Sequence, residues 1–381
     1  MESGSRVREA YFAASNSEKG FFSYYEELFR PGEATSMLYI IKGGPGCGKS
    51  RLLWDMVRTG EARGCAATLF YCSSDPASLD AVILRREDGT QIVALDGTAP
   101  HEMQPRIPGV QEQLIDLGTF WSCRQLRAQR ESIQGLMAEK TEHYAAAYRD
   151  LAAAGLCEQT ASELIGHTVD HRALSRLCER LVSGAVGTSG RGQRQDACAN
   201  VRTVCTRAIG MRGRTQLDTL TQQADRVCHI EPYYGVEYRL MNALVQALTV
   251  RGEQITVSRH PVFPTYADGI WLPQHGVAFV TDMTAPSLTE DQDQAMPSSE
   301  ESCYTRSISP RRAVDRARLQ MCRARVRHAV RQREALIADA ERELMAAASP
   351  HFALEAIYGA AMNFDAKEAY SRAVCEEIFR E

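Results

Sequence analysis

The chain reads the same unit twice, and that repeat constrains the fold more than any single motif. With a shift of 188, residues 51 to 84 lie over 239 to 272 without a gap and share nine identities in 34 positions: Arg51/Arg239, Leu52/Leu240, Val57/Val245, Arg63/Arg251, Gly64/Gly252, Thr68/Thr256, Pro76/Pro264, Asp80/Asp268 and Leu84/Leu272. A two-residue deletion then brings Asp96, Thr98, Ala99 and Pro100 over Asp282, Thr284, Ala285 and Pro286. Identities at turns and strand ends, where backbone geometry restricts the residue, mark a duplication. At 381 residues the chain suits two domains, with 44% hydrophobic and 24% charged residues to build two cores. Residues 1–186 are expected to form the first domain with its helical arm, 187–200 a linker, and 201–381 the second domain with its arm.

Within each unit the pattern predicts strand, loop, helix, strand, then a hairpin whose last strand ends in aspartate. MLYII (37 to 41) is an apolar strand, and Leu52, Leu53, Met56 and Val57 mark one face of a helix. ATLFYC (67 to 72) is a second strand. VILRREDGTQIVALD (82 to 96) holds an Asp-Gly turn between two β-rich runs. This alternation argues for an α/β fold. Long helices follow each unit at 122 to 153 and 311 to 347, with apolar stripes at three-to-four spacing that suit helical hairpins or coiled-coil-like arms. The acidic stretch LTEDQDQAMPSSEES is poor in apolar residues, and 288–310 reads as a disordered insertion.

Between the first strand and helix, GGPGCGKS fits G-x-x-x-x-G-K-[ST] through Gly43, Gly48, Lys49 and Ser50. In such a P-loop the backbone of Gly43, Gly44, Pro45, Gly46, Cys47 and Gly48 curls around phosphate, Lys49 bridges the β- and γ-phosphates, Ser50 gives its hydroxyl to Mg2+, and Arg51 opens the helix. The expected ligand is ATP with Mg2+, since no guanine-reading [NT]KxD follows. Asp96, ending the run Ile92 to Leu95, suits a Walker B metal ligand. Gly97 follows it, so the Asp-Glu pair that activates water is missing and hydrolysis by that route is disfavoured.

Asp75, beside Ser73 and Ser74, and His101, beside Glu102, lie after strand ends where ligands of open α/β sheets bind, and Asp75 and His101 are candidates for base or positioning roles against plain turn roles. Arg124, Arg127 and Arg130 reach for the γ-phosphate or form surface charge. Cys47 fills space or, beside loop amides, becomes a thiolate. In the second unit EPYYGVEY (231 to 238) replaces the loop, setting Glu237 over Lys49 and Tyr238 over Ser50, so that unit is degenerate.

These segments resemble a family of largely uncharacterised bacterial tandem P-loop ATPases or nucleotide-kinase-like proteins with a DGTAPH motif. The resemblance rests on KGGPGCGKS (42 to 50), FYCSSDPASLD (70 to 80), LDGTAPHEMQPRIPG (95 to 109) and LGTFW (117 to 121), and more weakly on RTQLDTL (214 to 220) and ALEAIYGAAMNFD (353 to 365). It implies two tandem P-loop NTPase-like units and ATP binding, and supplies no substrate. The chain departs from the pattern at Gln104, where aspartate is usual, and in lacking a recognisable second P-loop.

The expected function is slow Mg2+-dependent ATP hydrolysis coupled to a conformational change, with a small-molecule or nucleotide kinase and an ATP-dependent switch or scaffold as alternatives. The net charge of -4 gives no bulk affinity for nucleic acid. Nine arginines from Arg311 to Arg333 form the one basic segment, read as a solvated face with nucleic acid as the sharper alternative. The arms or the second unit offer a surface to a protein partner. No apolar run spans a bilayer, no leader is apparent and the twelve cysteines form no disulfide or zinc pattern, so a cytoplasmic location is expected.

Overall fold

The computed structural model describes residues 8–187, 201–281 and 304–380. The chain begins with β1 (Glu9–Phe12), the hairpin β2 (Ala14–Ser17) and β3 (Gly20–Ser23), and helix α1 (Tyr25–Phe29). It continues through β4 (Thr35–Lys42), α2 (Lys49–Glu61), β5 (Ala66–Tyr71), β6 (Leu79–Arg85), β7 (Gln91–Asp96) and β8 (Glu112–Asp116). The sheet order is β1-β5-β6-β7-β4-β8; β6 is antiparallel to both neighbours and the other pairs are parallel. Strand alternation decides which core each side chain joins. Tyr39 and Ile41 pack with Leu52, Leu53, Met56 and Val57 of α2, whereas Leu38 and Ile40 pack on the other face with Tyr25 and Phe29 of α1.

Helices α3 (Cys123–Ala128), α4 (Arg130–Gly166) and α5 (His171–Val186) lead to the second unit. There β9 (Val201–Val204), the hairpin β10 (Arg207–Gly210) and β11 (Gly213–Gln216), α6 (Thr219–Gln222), β12 (Arg226–Ile230), α7 (Val236–Val250), β13 (Ile255–Arg259), β14 (Ala267–Leu272), β15 (Val277–Thr281) and β16 (Tyr304–Ile308) follow. Their order, β9-β13-β14-β15-β12-β16, repeats the first sheet strand for strand, with the same parallel and antiparallel pairs. The chain is therefore an α/β protein with two mixed six-stranded sheets. Val204, Val227, Trp271 and Ala278 of the second sheet join Leu38, Ile40, Val93 and Leu95 of the first in one shared core, and Phe12 and Cys205 exchange backbone hydrogen bonds across the junction.

The disordered insertion expected over 288–310 is corrected at its end. Residues 304–308 form strand β16, paired in parallel with β12 from Arg226 to Ile230, because an edge strand there satisfies the open hydrogen-bonding groups of β12. The rest of that insertion up to 303, the expected linker from 188 to 200, and Asp282 lie outside the described residues.

The arms are not independent. Helix α8 (Arg316–Ala346) runs antiparallel along α4, so that His143 meets Glu343, Glu158 meets Arg333, and Leu164 meets Cys322. Beyond α8 lie α9 (Ala348–Ala360) and α10 (Phe364–Ile378). Pro350, in the first turn of α9, has no N–H to continue the α8 ladder, which separates the two helices. The arms also exchange partners: α5 packs Leu174, Cys178, Leu181 and Val182 into the core around α7, while α10 packs Cys375 and Ile378 against α2. One chain offset carries the N-cap Ser122 onto Asp315, and the same offset carries the N-cap Asp170 onto Asn363.

The basic segment is less solvated than its charge implies. Arg333 is buried against Glu158 and Glu334, and Arg323 donates to the Tyr234 hydroxyl, while Arg312, Arg316, Arg325 and Arg331 remain exposed. Among the described residues no helix is long and apolar enough to cross a membrane. The Arg333–Glu158 pair ties the arms together at side chains 10% and 7% exposed. Glu158→Ala is expected to destabilise the protein by about 3 to 5 kcal/mol in urea unfolding, since it strands a buried guanidinium, and the double variant Glu158→Met/Arg333→Met to recover part of that loss.

Candidate functional site

Residues 43 to 48 join β4 to α2 at the carboxyl ends of the parallel strands β4 and β7. Gly48 is the left-handed N-cap of α2, with φ +84°. Gly46 has φ +68°, and a Cβ there would stand 2.5 Å from the Glu355 carbonyl oxygen, so glycine alone lets α9 rest on the loop. Trp121 and Tyr358 cover Gly44. Pro45 completes the half-buried rim of the loop. Arg51 points outward to Glu368 at 3.1 Å. Cys47 is buried beneath the loop, and burial pushes its thiol up, so the thiolate alternative is set aside for the packing role.

Lys49 Nζ donates to the carbonyls of Gly43 at 3.0 Å and Gly44 at 2.9 Å and lies 3.5 Å from Asp96 Oδ2. Ser50 Oγ accepts from the Leu79 N–H at 2.9 Å. The register Ile41↔Asp96 holds Asp96 beside the start of the loop, and its Oδ1 accepts from the Thr98 N–H and hydroxyl. A Cβ at Gly97 would stand 2.4 Å from Ile40 Cγ2, so close packing on β4 excludes a glutamate there.

The structure adds Asp80, which in the sequence stands out only as one identity of the repeat. Pairing between β5 and β6 shifts so that Phe70 faces Ala81 and Tyr71 faces Leu79, leaving Asp80 as the extra residue of a β-bulge. A bulge re-aims its side chain, and this one turns Asp80 into the protein beside Asp96 and His101. Burial beside Asp96 pushes the Asp80 carboxyl well above the usual range, and the Cys72 thiol hydrogen-bonds it. His101 is buried, stacked on Tyr25 at 4.6 Å, and burial pushes its imidazole down. Asp75 does not join this group. It pairs with Arg212 of the second unit at 2.5 Å and accepts from the Ala77 N–H, and the turn from Ser73 is pinned by Met211 N–H on the Ser74 carbonyl. Glu102 is exposed.

Of the two roles open to Arg124, Arg127 and Arg130, the surface one fits their place: all three are exposed on α3 and the start of α4. Lys140, farther along α4, lies against the site, with its Nζ 3.1 Å from His351 Nδ1 on α9. Burial lowers the Lys140 ammonium, and burial with Lys140 and Lys49 nearby brings His351 down to about 4, so a neutral ring accepts from the ammonium. Glu355, one turn beyond His351, accepts from the Gly46 N–H. Lys367 of α10 lies buried against Gly48. Sequence did carry a signal for Lys140: the offset that aligns the caps sets Lys140 over Arg333 and His351 over Glu158, so both cleft sides repeat one cross-arm pair with different chemistry.

In the second unit the residues matching Lys49 and Ser50 are packed into the interior. Tyr238, where Ser50 stands in the first, stacks on Tyr266 at 4.9 Å with His260 and Phe263 alongside, which fills the space with rings. Glu237, in the place of Lys49, is buried and accepts from the Tyr233 N–H at 2.7 Å. No protein-family model, curated protein or solved structure matches the chain.

Burial pushes Glu237 up to about 7 from 4.5. A carboxyl raised in the folded state contributes stability that is present below its unfolded value and lost as pH rises through the folded one. Stability measured by urea unfolding should therefore fall between about pH 4.5 and 7 by an amount on the order of 3 kcal/mol, and Glu237→Gln should remove that part of the fall.

Proposed function

We propose that this chain is a P-loop NTPase that binds ATP with Mg2+ at its first unit and hydrolyses it slowly, the second unit keeping the architecture without the chemistry. The observation that carries this reading is the convergence of Lys49, Ser50 and Asp96 at the carboxyl ends of adjacent parallel strands, where open α/β sheets bind ligands. The resemblance to tandem P-loop ATPases supports the same reading.

Each residue then has a physical task. The loop amides and the N-terminus of α2 favour the β-phosphate, and Lys49 neutralises the β- and γ-oxygens. Ser50 and Asp96 present oxygen donors that fit Mg2+, which would supply charge neutralisation on the phosphates. Lys140, held by the neutral His351, brings a second cation from the arm toward the transferred group. With Gly97 after Asp96, no carboxylate follows to activate water, which makes turnover slow.

Glu355 favours coupling to a conformational change. Its carboxylate accepts from the Gly46 N–H, a donor that phosphate would use, so nucleotide competes with α9 for the loop. The same contact favours an ATP-dependent switch as the second reading, and binding without turnover would select it. A kinase would instead release phosphate only with an acceptor present.

Calorimetry with ATP and Mg2+ should give saturable binding that Lys49→Ala abolishes; if the parent protein binds no ATP, the proposal fails. In steady-state phosphate release, Lys140→Met should lower kcat by about 100-fold while changing ATP affinity by no more than about threefold.

A further inference from the structure

The Asp80, Asp96 and His101 side chains each turn a ligand atom into one spot, and these atoms lie within 4.8 Å of one another in a fully buried setting. His101 is 8% exposed, yet neither Nδ1 nor Nε2 has a hydrogen-bond partner among the described residues. A buried imidazole ordinarily satisfies at least one nitrogen, so this ring is aimed at a ligand. The two buried carboxylates have Lys49, 3.5 Å from Asp96, as the ammonium on their loop side.

The second unit answers the same problem differently. Asp268 sits on the matching β-bulge, between the pairs Ser258↔Gly269 and Arg259↔Ala267, and is buried against the Arg207 guanidinium at 3.5 Å. Arg207 opens β10, and the residue that opens the corresponding strand β2 is Ala14. The first unit thus lacks a guanidinium at that position, and its bulge aspartate faces the Asp96 carboxylate and the His101 imidazole instead of an arginine.

We propose that Asp80, Asp96 and His101 form a three-ligand site for a divalent transition-metal ion of the Mn2+ type, preformed in the folded chain without nucleotide. Two carboxylates with one imidazole suit Mn2+, Fe2+ or Zn2+, whereas Mg2+ favours an all-oxygen shell. The ion's place beside ATP phosphates rests on the proposed NTPase reading; the site itself does not.

The test is titration of the full-length chain, stripped by chelator and free of nucleotide, with MnCl2, following the electron paramagnetic resonance signal of free Mn2+. One ion per chain should bind and resist about tenfold excess Mg2+. Asp80→Asn should abolish binding, His101→Gln should weaken it about tenfold or more, and Lys49→Ala should leave it intact or strengthen it. Pulsed measurements on the parent protein should show nitrogen coupling to the bound Mn2+, a readout independent of whether any variant folds. Absence of nucleotide-free binding, or bound Mn2+ without nitrogen coupling, overturns the proposal. ATP calorimetry on the same sample fails or succeeds separately.

Discussion

The antiparallel seam between α4 and α8 holds the rest of the molecule in place. Each helix leaves its own sheet, crosses its partner, and delivers the following helices to the other unit, α5 onto α7 and α10 onto α2. Apolar side chains such as Ala147, Leu151 and Ala154 against Ile337, Ala340 and Leu344 close the seam. Because the exchange is reciprocal, neither sheet's outer helix is covered by its own arm. The loop at Gly46 therefore feels the far end of the chain through α9, which links the candidate site to the packing of the whole protein.

The duplication also explains how two matching clefts come to be lined by different side chains. At matching positions the first unit has Lys140 with a neutral His351, and the second has Arg333 with Glu158. The former pair carries a single charge, on Lys140, while the latter is a closed ion pair. The bulge aspartates diverge in the same sense: Asp268 is tied to Arg207, and Asp80 turns toward Asp96 and His101. Tyr238, at the position of Ser50, packs with His260, Phe263 and Tyr266 in an aromatic cluster.

Much of the fold was legible from residues. The strand of residues 37 to 41, the α2 face of Leu52, Leu53, Met56 and Val57, and the Asp-Gly hairpin all follow local rules of period and turn chemistry. Strand β16 was missed because it begins directly after an acidic run, and its stability comes from pairing with β12 rather than from its own composition. Asp75 follows a strand end, where residues alone leave a base role and a turn role open, and its partner Arg212 comes from the other unit.

By itself the sequence determined that a unit occurs twice, that only the first copy has Gly43, Gly48, Lys49 and Ser50 in G-x-x-x-x-G-K-[ST] spacing, and that Asp96 ends the neighbouring strand. Those are properties of short segments, where spacing along the chain dictates geometry. Tertiary structure alone decided that Asp80 and His101 join Asp96, that Lys140 meets His351 beside the loop, and that Glu355 reaches the Gly46 N–H. A bulge re-aims Asp80, and an exchange of helical arms brings residues more than two hundred positions apart into contact, as Lys140 and His351 are; neither leaves a periodic mark in the residues themselves.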